Sequence, residues 1–84
     1  MVRVTLTNPA VRQMEDLPVS IHGRVMKILE RLRGWPMVRG VRSLRGELAG
    51  RFRVRTGDYR VQFRVEDDRL IVERIGHRDG FYED

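Results

Sequence analysis

The N-terminal part of the chain shows two hydrophobic patterns in succession: apolar and polar residues first alternate, and apolar residues then recur at helical spacing. Val2, Val4 and Leu6 alternate with polar residues, which is typical of a β-strand. Asn8 and Pro9 then predict a helix start, with Asn8 as the N-cap and Pro9 at the first helical position. Apolar residues at three-residue steps continue this helix to residue 17. The pattern predicts one strand followed by one short amphipathic helix.

A second helix is predicted over residues 21–32. Apolar side chains recur there at helical spacing while charged residues face away, and Ser20 can cap the first turn. Gly34 and Pro36 end the helix. Trp35, between them, could be a recognition aromatic, but covering the end of a thin core is the more ordinary role.

The second half of the chain predicts a connection and three strands. Residues 37–50 form an irregular, glycine-punctuated segment that Leu44 and Leu48 attach to the core. Gly57-Asp58 and Asp67-Asp68 are tight-turn signals between the strand segments. The resulting order, β-α-α-β-β-β, predicts an α+β fold with two helices packed on one face of a small, largely antiparallel sheet. The predicted strands are 51–56, 59–66 and 69–76.

The Gly57-Asp58 turn fixes which side chains share a face of the hairpin. One face is apolar and must pack against the helices, since side chains alternate along each strand. Like charges directly opposite each other destabilise a sheet by up to about 1 kcal/mol per pair, so a face with five arginines favours an anionic ligand. The alternative is a solvated face whose arginines pair with Glu66, Asp67 or Glu73. The polar face, here called the arginine face, carries Arg51, Arg53, Arg55, Arg60, Gln62 and Arg64.

Composition bounds the class of protein. The chain has 84 residues, read as one domain over 1–84, with no cysteine and two histidines. Disulfides, thiol chemistry and cysteine-based metal sites are therefore excluded, and no metal or other cofactor is expected. No apolar run is long enough to span a membrane and no signal peptide is recognisable, so a cytoplasmic protein is expected.

Positive charge is concentrated in one part of the chain. The net charge is +5, with 17 basic and 12 acidic residues. Residues 39–64 hold eight arginines against Glu47 and Asp58, whereas residues 65–84 are net acidic. A GC-rich genome would explain arginine in place of lysine but not this clustering. Nucleic acid or an acidic protein is the expected partner.

The C-terminal segment adds groups that can move protons. His77, Arg78 and Tyr82 lie within a few residues of each other after the last predicted strand. A histidine at a strand end is often only a polar surface residue, and Phe81 and Tyr82 could simply close a core edge. Beside the arginine face, the combination provides phosphate-binding cations with His77 and Tyr82 as candidate proton carriers.

Several of these segments together resemble the RelE/ParE superfamily of type II toxin–antitoxin toxins. The resemblance covers essentially the whole chain, including Leu32-Arg33-Gly34-Trp35-Pro36 at the end of the second helix. Its most specific part is the Gly57-Asp58-Tyr59-Arg60 hairpin preceded by Leu44-Arg45-Gly46. The ending, Ile75-Gly76-His77-Arg78 with Tyr82, resembles the RelE branch.

This resemblance implies a microbial-RNase-like fold and a small antitoxin that wraps and neutralises the toxin, with DNA operator binding possible through that complex. RelE-like members enter the ribosomal A site and cut mRNA by attack of a ribose 2′-OH on the adjacent phosphate. ParE-like members inhibit DNA gyrase and are not nucleases. An mRNA endonuclease is the favoured interpretation, with gyrase inhibition, an inactive relative or a plain nucleic-acid-binding module as alternatives.

Roles for individual residues follow from the same resemblance. Arg51 and Arg53 match the basic positions of the first hairpin strand, Arg60 the arginine of the next strand, Arg78 the later arginine and Tyr82 the tyrosine. Some relatives have lysine where this chain has arginine, and arginine cannot act as a proton donor or base. The catalytic set is therefore predicted to be Arg60, Arg78, Tyr82 and His77, and the substrate-binding set Arg51, Arg53, Arg55 and Arg64.

Overall fold

The computed structural model describes residues 1–81. Short 3₁₀ turns at Gly46–Leu48 and Arg78–Gly80 flank the last three strands. The helices and strands, in chain order, are β1 (Arg3–Leu6), α1 (Asn8–Glu15), α2 (Val19–Leu32), β2 (Arg42–Ser43), β3 (Arg51–Thr56), β4 (Tyr59–Glu66) and β5 (Arg69–His77).

The five strands form a single mixed sheet in the order β1-β5-β4-β3-β2. β1 pairs parallel to β5, and the other neighbours are antiparallel. The predicted α+β fold is confirmed, with both helices against one face of a largely antiparallel sheet. The strand β2 is an addition, because a two-residue strand inside the segment 37–50 is too short to show an alternating pattern.

The core lies between the helices and one face of the sheet. From the helices, Ala10, Val25 and Leu32 are fully buried. Val61 and Phe63 of β4 meet them from the sheet and are likewise inaccessible to solvent. The opposite face of β3 and β4, the arginine face, has no helix of residues 1–81 packed on it. The helices of residues 1–81 therefore bury only one side of the sheet.

Trp35 closes one end of this core, as its position predicts. Its ring packs edge-on against Phe52 at 4.8 Å and against Phe63 at 5.5 Å between centroids. Phe52 and Phe63, direct partners across β3 and β4, are stacked at 5.5 Å. Leu44 is buried and Leu48 half-buried, so the connection before β3 is also attached to the core.

The predicted helix caps need correction. Thr7, not Asn8, is the N-cap of α1, and its Oγ1 accepts a hydrogen bond from the backbone N–H of Ala10 at 3.3 Å. Thr7 follows β1 directly, so the chain turns one residue earlier than the Asn-Pro pair indicates. Ser20 caps nothing, because α2 begins at Val19 with Pro18 preceding it and no side-chain cap. Neither described helix has the length and apolarity required to cross a bilayer.

Candidate nucleic-acid interface

The β3–β4 hairpin has the register that the Gly57-Asp58 turn predicts. Arg55 lies opposite Arg60, and Arg51 lies opposite Arg64. Val54 and Val61 pair on the buried side. The six predicted side chains of the arginine face therefore share one side of the sheet, away from the helices.

Neighbouring strands extend the arginine face by two arginines that the sequence analysis did not include. Arg42 of β2 is the partner of Arg53, and Arg74 of β5 is the partner of Gln62. Arg74 could have been found by continuing the alternation from Ile75, which is buried. Arg42 could not, because its strand has only two residues.

Glu73 gathers three side chains at one end of the arginine face. Its Oε1 accepts from Arg51 Nε at 2.8 Å and from Gln62 Nε2 at 3.3 Å. Its Oε2 accepts from Arg64 Nε at 2.9 Å and from Arg51 Nη2 at 3.4 Å. Arg64 also pairs with Glu66. The predicted alternative of internal carboxylate partners therefore holds for Arg51 and Arg64.

The Glu73 carboxylate is held in its ionised form. Its side chain is only 19% exposed. Burial alone would raise the pKa of Glu73, but hydrogen bonds from Arg51, Gln62 and Arg64 outweigh it and lower the pKa below its ordinary value. Glu73 is thus an ionised hydrogen-bond acceptor, and both of its carboxylate oxygens already accept hydrogen bonds.

The other end of the arginine face has a different electrostatic character. Arg60 is only 7% exposed, and its Nη1 is buried without a hydrogen-bond partner in residues 1–81. Arg55, directly opposite, is exposed, and no carboxylate of the described residues forms an ion pair with either side chain. An unpaired buried donor costs about 1–3 kcal/mol, so this end of the face is suited to an anion.

A cleft adjoins this end. Gly40, Val41, Arg42, Arg53 and Arg55 line a volume of about 310 Å³. Three of the five lining residues are arginines, so the cleft suits a phosphate better than an apolar ligand. Within residues 1–81, no three His, Asp or Glu side chains are placed to share a metal ion.

His77 lies on the helix side of the sheet, not on the arginine face. It pairs with Tyr59 across β4 and β5, and the two rings meet edge-on at 5.2 Å. Its Nδ1 accepts a hydrogen bond from the backbone N–H of Asp79 at 3.1 Å. Alternation along β5 therefore separates His77 from Arg60, and continuing the pattern from the buried Ile75 could have indicated this.

Arg78 lies at the hairpin turn, the end of the sheet that also holds Arg55 and Arg60. Its backbone N–H donates to the carbonyl of Asp58 at 2.7 Å, and its Nε is 4.0 Å from Asp58 Oδ1. The side chain is 56% exposed. Tyr82, the fourth predicted catalytic residue, lies outside the described residues.

Phe81 returns the chain over the arginine face. Gly76 faces Arg60 across β4 and β5, and a Cβ on Gly76 would come 3.2 Å from Phe81 Cε1. The guanidinium of Arg74 stacks on the Phe81 ring at 4.2 Å, and Arg74 also donates to the carbonyl of Gly80. The absence of a side chain at Gly76 therefore makes room for the ring beside Arg60.

Comparisons with known proteins match this chain to toxins. A family model described as the ParE toxin of the type II toxin–antitoxin system parDE matches residues 4–80. Toxin RelG of Mycobacterium tuberculosis is 32% identical over 81 residues, which cover 94% of this chain and 93% of that protein. A match of this extent and identity shows common family membership.

Solved structures with the same fold include toxin–antitoxin complexes. A chain of the RelBE2 complex from Mycobacterium tuberculosis has a TM-score of 0.80 and 34% identity, covering 92% of this chain and 98% of that chain. The isolated RelE toxin of E. coli has a TM-score of 0.78 at 17% identity, covering 92% of this chain and 84% of that chain. At 17% identity, the similarity to the E. coli RelE toxin shows a shared fold only.

Proposed function

Because this chain belongs to the RelE/ParE superfamily of type II toxin–antitoxin toxins, we propose that it is an mRNA endonuclease of the cytoplasm that acts in the ribosomal A site and inhibits translation. In the proposed reaction a ribose 2′-oxygen attacks the adjacent phosphorus and the bond to the 5′-oxygen breaks. The 2′-OH proton passes to a base and the leaving 5′-oxygen takes up a proton. The products are a 2′,3′-cyclic phosphate and a 5′-hydroxyl.

The single observation that carries this proposal is the unpaired guanidinium of Arg60. Its Nη1 is buried with no partner among residues 1–81, on a face with no helix packed on it. Negative charge develops on the phosphate oxygens in the transition state, and a preorganised guanidinium stabilises that charge. Arg60 and Arg78 would hold the scissile phosphate, with Arg53 and Arg55 on the flanking backbone.

Proton transfer must come from another side chain, since arginine keeps its charge. His77 and Tyr82 are the candidates. His77 faces away from Arg60, with Nδ1 occupied by the Asp79 N–H. Tyr82→Phe and His77→Gln, assayed for cleavage rate against pH, distinguish the two, because only loss of the base removes the rate dependence on its ionisation.

A cognate antitoxin is the proposed partner. Related chains are seen in toxin–antitoxin complexes from Mycobacterium tuberculosis and Methanococcus jannaschii. The net charge of +5 suits a small acidic protein, and such a complex could also bind its operator DNA. A neighbouring reading frame for a short acidic protein with a DNA-binding half is expected.

Gyrase inhibition is the second candidate, and the match of residues 4–80 to ParE toxins favours it. A gyrase inhibitor would cause DNA damage and supercoiling defects while transcripts stay intact. The nuclease would instead produce new mRNA 5′ ends within coding sequences.

The deciding experiment is transcriptome-wide mapping of mRNA 5′ ends after induction of the chain. Wild type and Arg12→Ala, which removes an exposed charge on α1, should cut transcripts and arrest growth equally. Arg60→Ala and Arg78→Ala should abolish both effects while antitoxin binding and the fold survive. Full toxicity of both variants, or growth arrest without new 5′ ends, would contradict the proposal.

A further inference from the structure

We propose that Glu73 divides the arginine face into a closed half and an open half. Glu73 neutralises Arg51 and Arg64 as an internal substitute for a phosphate. Nucleic-acid phosphates then bind only at the end that holds Arg55 and Arg60. The proposal rests on the proposed function only in taking nucleic acid as the ligand.

The closed half has no unused acceptor. A carboxylate offers about four lone-pair positions, and Glu73 receives four hydrogen bonds, two at each oxygen. Arg51 contacts both oxygens through Nε and Nη2, as an arginine contacts two oxygens of a phosphate. Arg64 also pairs with Glu66, which Arg69 contacts at 3.7 Å, so Arg51 and Arg64 both have carboxylate partners at this end.

A break in strand register supplies the carboxylate. Gln62 pairs with Arg74, but the next residue, Phe63, pairs with Val72. Glu73 is therefore the extra residue of a bulge in β5, and bulges redirect a side chain within a sheet. Here the redirected side chain reaches Arg51, which lies two strands away on β3.

An incoming phosphate would not readily replace Glu73. Displacement would leave a carboxylate that is only 19% exposed without partners, and removing the partner of a partly buried charge is costly. At Arg55 and Arg60 no ion pair within residues 1–81 has to be broken. Arg60 already has an unpaired buried nitrogen, and no carboxylate of residues 1–81 pairs with Arg55.

The position of the open half predicts the path of the ligand. Arg55 lies both opposite Arg60 and in the wall of the cleft that Arg42 and Arg53 share. Phosphates should therefore cross the strands near the Gly57 turn, from the β2 edge towards β4. They should not follow β3 along its length to Arg51.

The test is the salt dependence of binding to a fluorescent, uncleavable 2′-O-methyl RNA of ten nucleotides. Each phosphate contact contributes about 0.7 to the slope of log K against log salt concentration for single strands. Arg55→Ala should lower the slope by about 0.7, and Arg51→Ala should leave it unchanged. Glu73→Gln should raise it by up to about 1.4, because two arginines are released.

Two controls separate this effect from net charge and from unfolding. Glu30→Gln makes the same charge change on α2, where Glu30 is exposed, and should not alter the slope. Circular dichroism shows whether Glu73→Gln is folded. Should it not fold, the comparison of Arg55→Ala with Arg51→Ala still decides, because Arg55 is exposed and its loss does not disturb the core.

The proposal is overturned if Arg51→Ala lowers the slope as much as Arg55→Ala, if a folded Glu73→Gln behaves like Glu30→Gln, or if wild type does not bind the RNA. Binding of an acidic peptide alone would likewise refute it and identify a protein-binding surface. The outcome is separable from the nuclease proposal. If the slopes are as expected but transcripts stay uncut, only the nuclease proposal is refuted. If transcripts are cut but Arg55→Ala and Arg51→Ala have equal slopes, only the division of the arginine face is refuted.

Discussion

Arg55 and Arg60 are direct cross-strand partners of like charge, and within residues 1–81 no carboxylate pairs with either. Arg51 and Arg64 are also partners of like charge, but Glu73 lies between their guanidinium groups. Two equivalent pairs of one hairpin therefore differ in electrostatic cost. The uncompensated pair is the one nearer the turn, where the candidate ligand site lies.

Arg55→Gln is expected to stabilise the fold while weakening nucleic-acid binding. Removing one of two facing like charges should raise the free energy of unfolding by about 0.2–1 kcal/mol. Arg51→Gln should instead lower it, because Glu73 loses its two-point partner. Urea denaturation of both variants measures the difference, and a destabilised Arg55→Gln protein would show that Arg55 has an internal role.

Glu73 should make part of the stability sensitive to acid. Its pKa is lowered in the folded state, so its contribution is present above the unfolded-state pKa of about 4.3 and is lost as the pH falls through the folded value. Glu73→Gln should cost about 1–3 kcal/mol at pH 7. The variant should therefore lose less stability than wild type on going from pH 6 to pH 3.

Chemical denaturation at several pH values checks this, with Glu30→Gln as the control. Glu30 is 69% exposed and pairs only with Arg33 at 3.6 Å in the described chain, so its removal should leave the acid dependence as it is. Parallel pH curves for wild type and Glu73→Gln would contradict a structural role for the Glu73 ion pairs.

The corrected helix cap can be tested by two neighbouring substitutions. Thr7→Ala removes the acceptor for the Ala10 N–H and a 3.3 Å hydrogen bond from Thr7 Oγ1 to the Glu73 carbonyl. A loss of about 1 kcal/mol is expected. Asn8→Ala, already inside the helix, should be close to neutral. Thermal unfolding of both variants measures the difference. A larger loss of stability in Asn8→Ala than in Thr7→Ala would show that Asn8 is the cap.

Gly76 of β5 should accept a side chain only with a loss of stability. Alanine there would place its Cβ 3.2 Å from Phe81 Cε1, so the ring must move off the sheet. The expected cost is about 1 kcal/mol, since overpacking outweighs the entropy gained from losing glycine. Gly80→Ala, with open space around the new Cβ, should be neutral. Equal stability of the two variants would mean that Phe81 is not held against Gly76.

Sequence alone was sufficient for the hairpin and its register. Side chains alternate with a period of two, and Gly57-Asp58 sets the turn, so the pairing of Arg55 with Arg60 follows from local pattern. The same reasoning identified both helices, because one apolar stripe at helical spacing must be buried. Clustered arginines between residues 39 and 64 likewise predicted an anionic partner before any contact was known.

Tertiary structure alone decided which arginines remain available. The bulge that directs Glu73 towards Arg51 depends on hydrogen bonding between β4 and β5, and no local pattern records it. The same holds for Arg42, which joins the face through a two-residue strand. Local periodicity specifies faces within a strand, whereas the pairing between strands determines which charges meet.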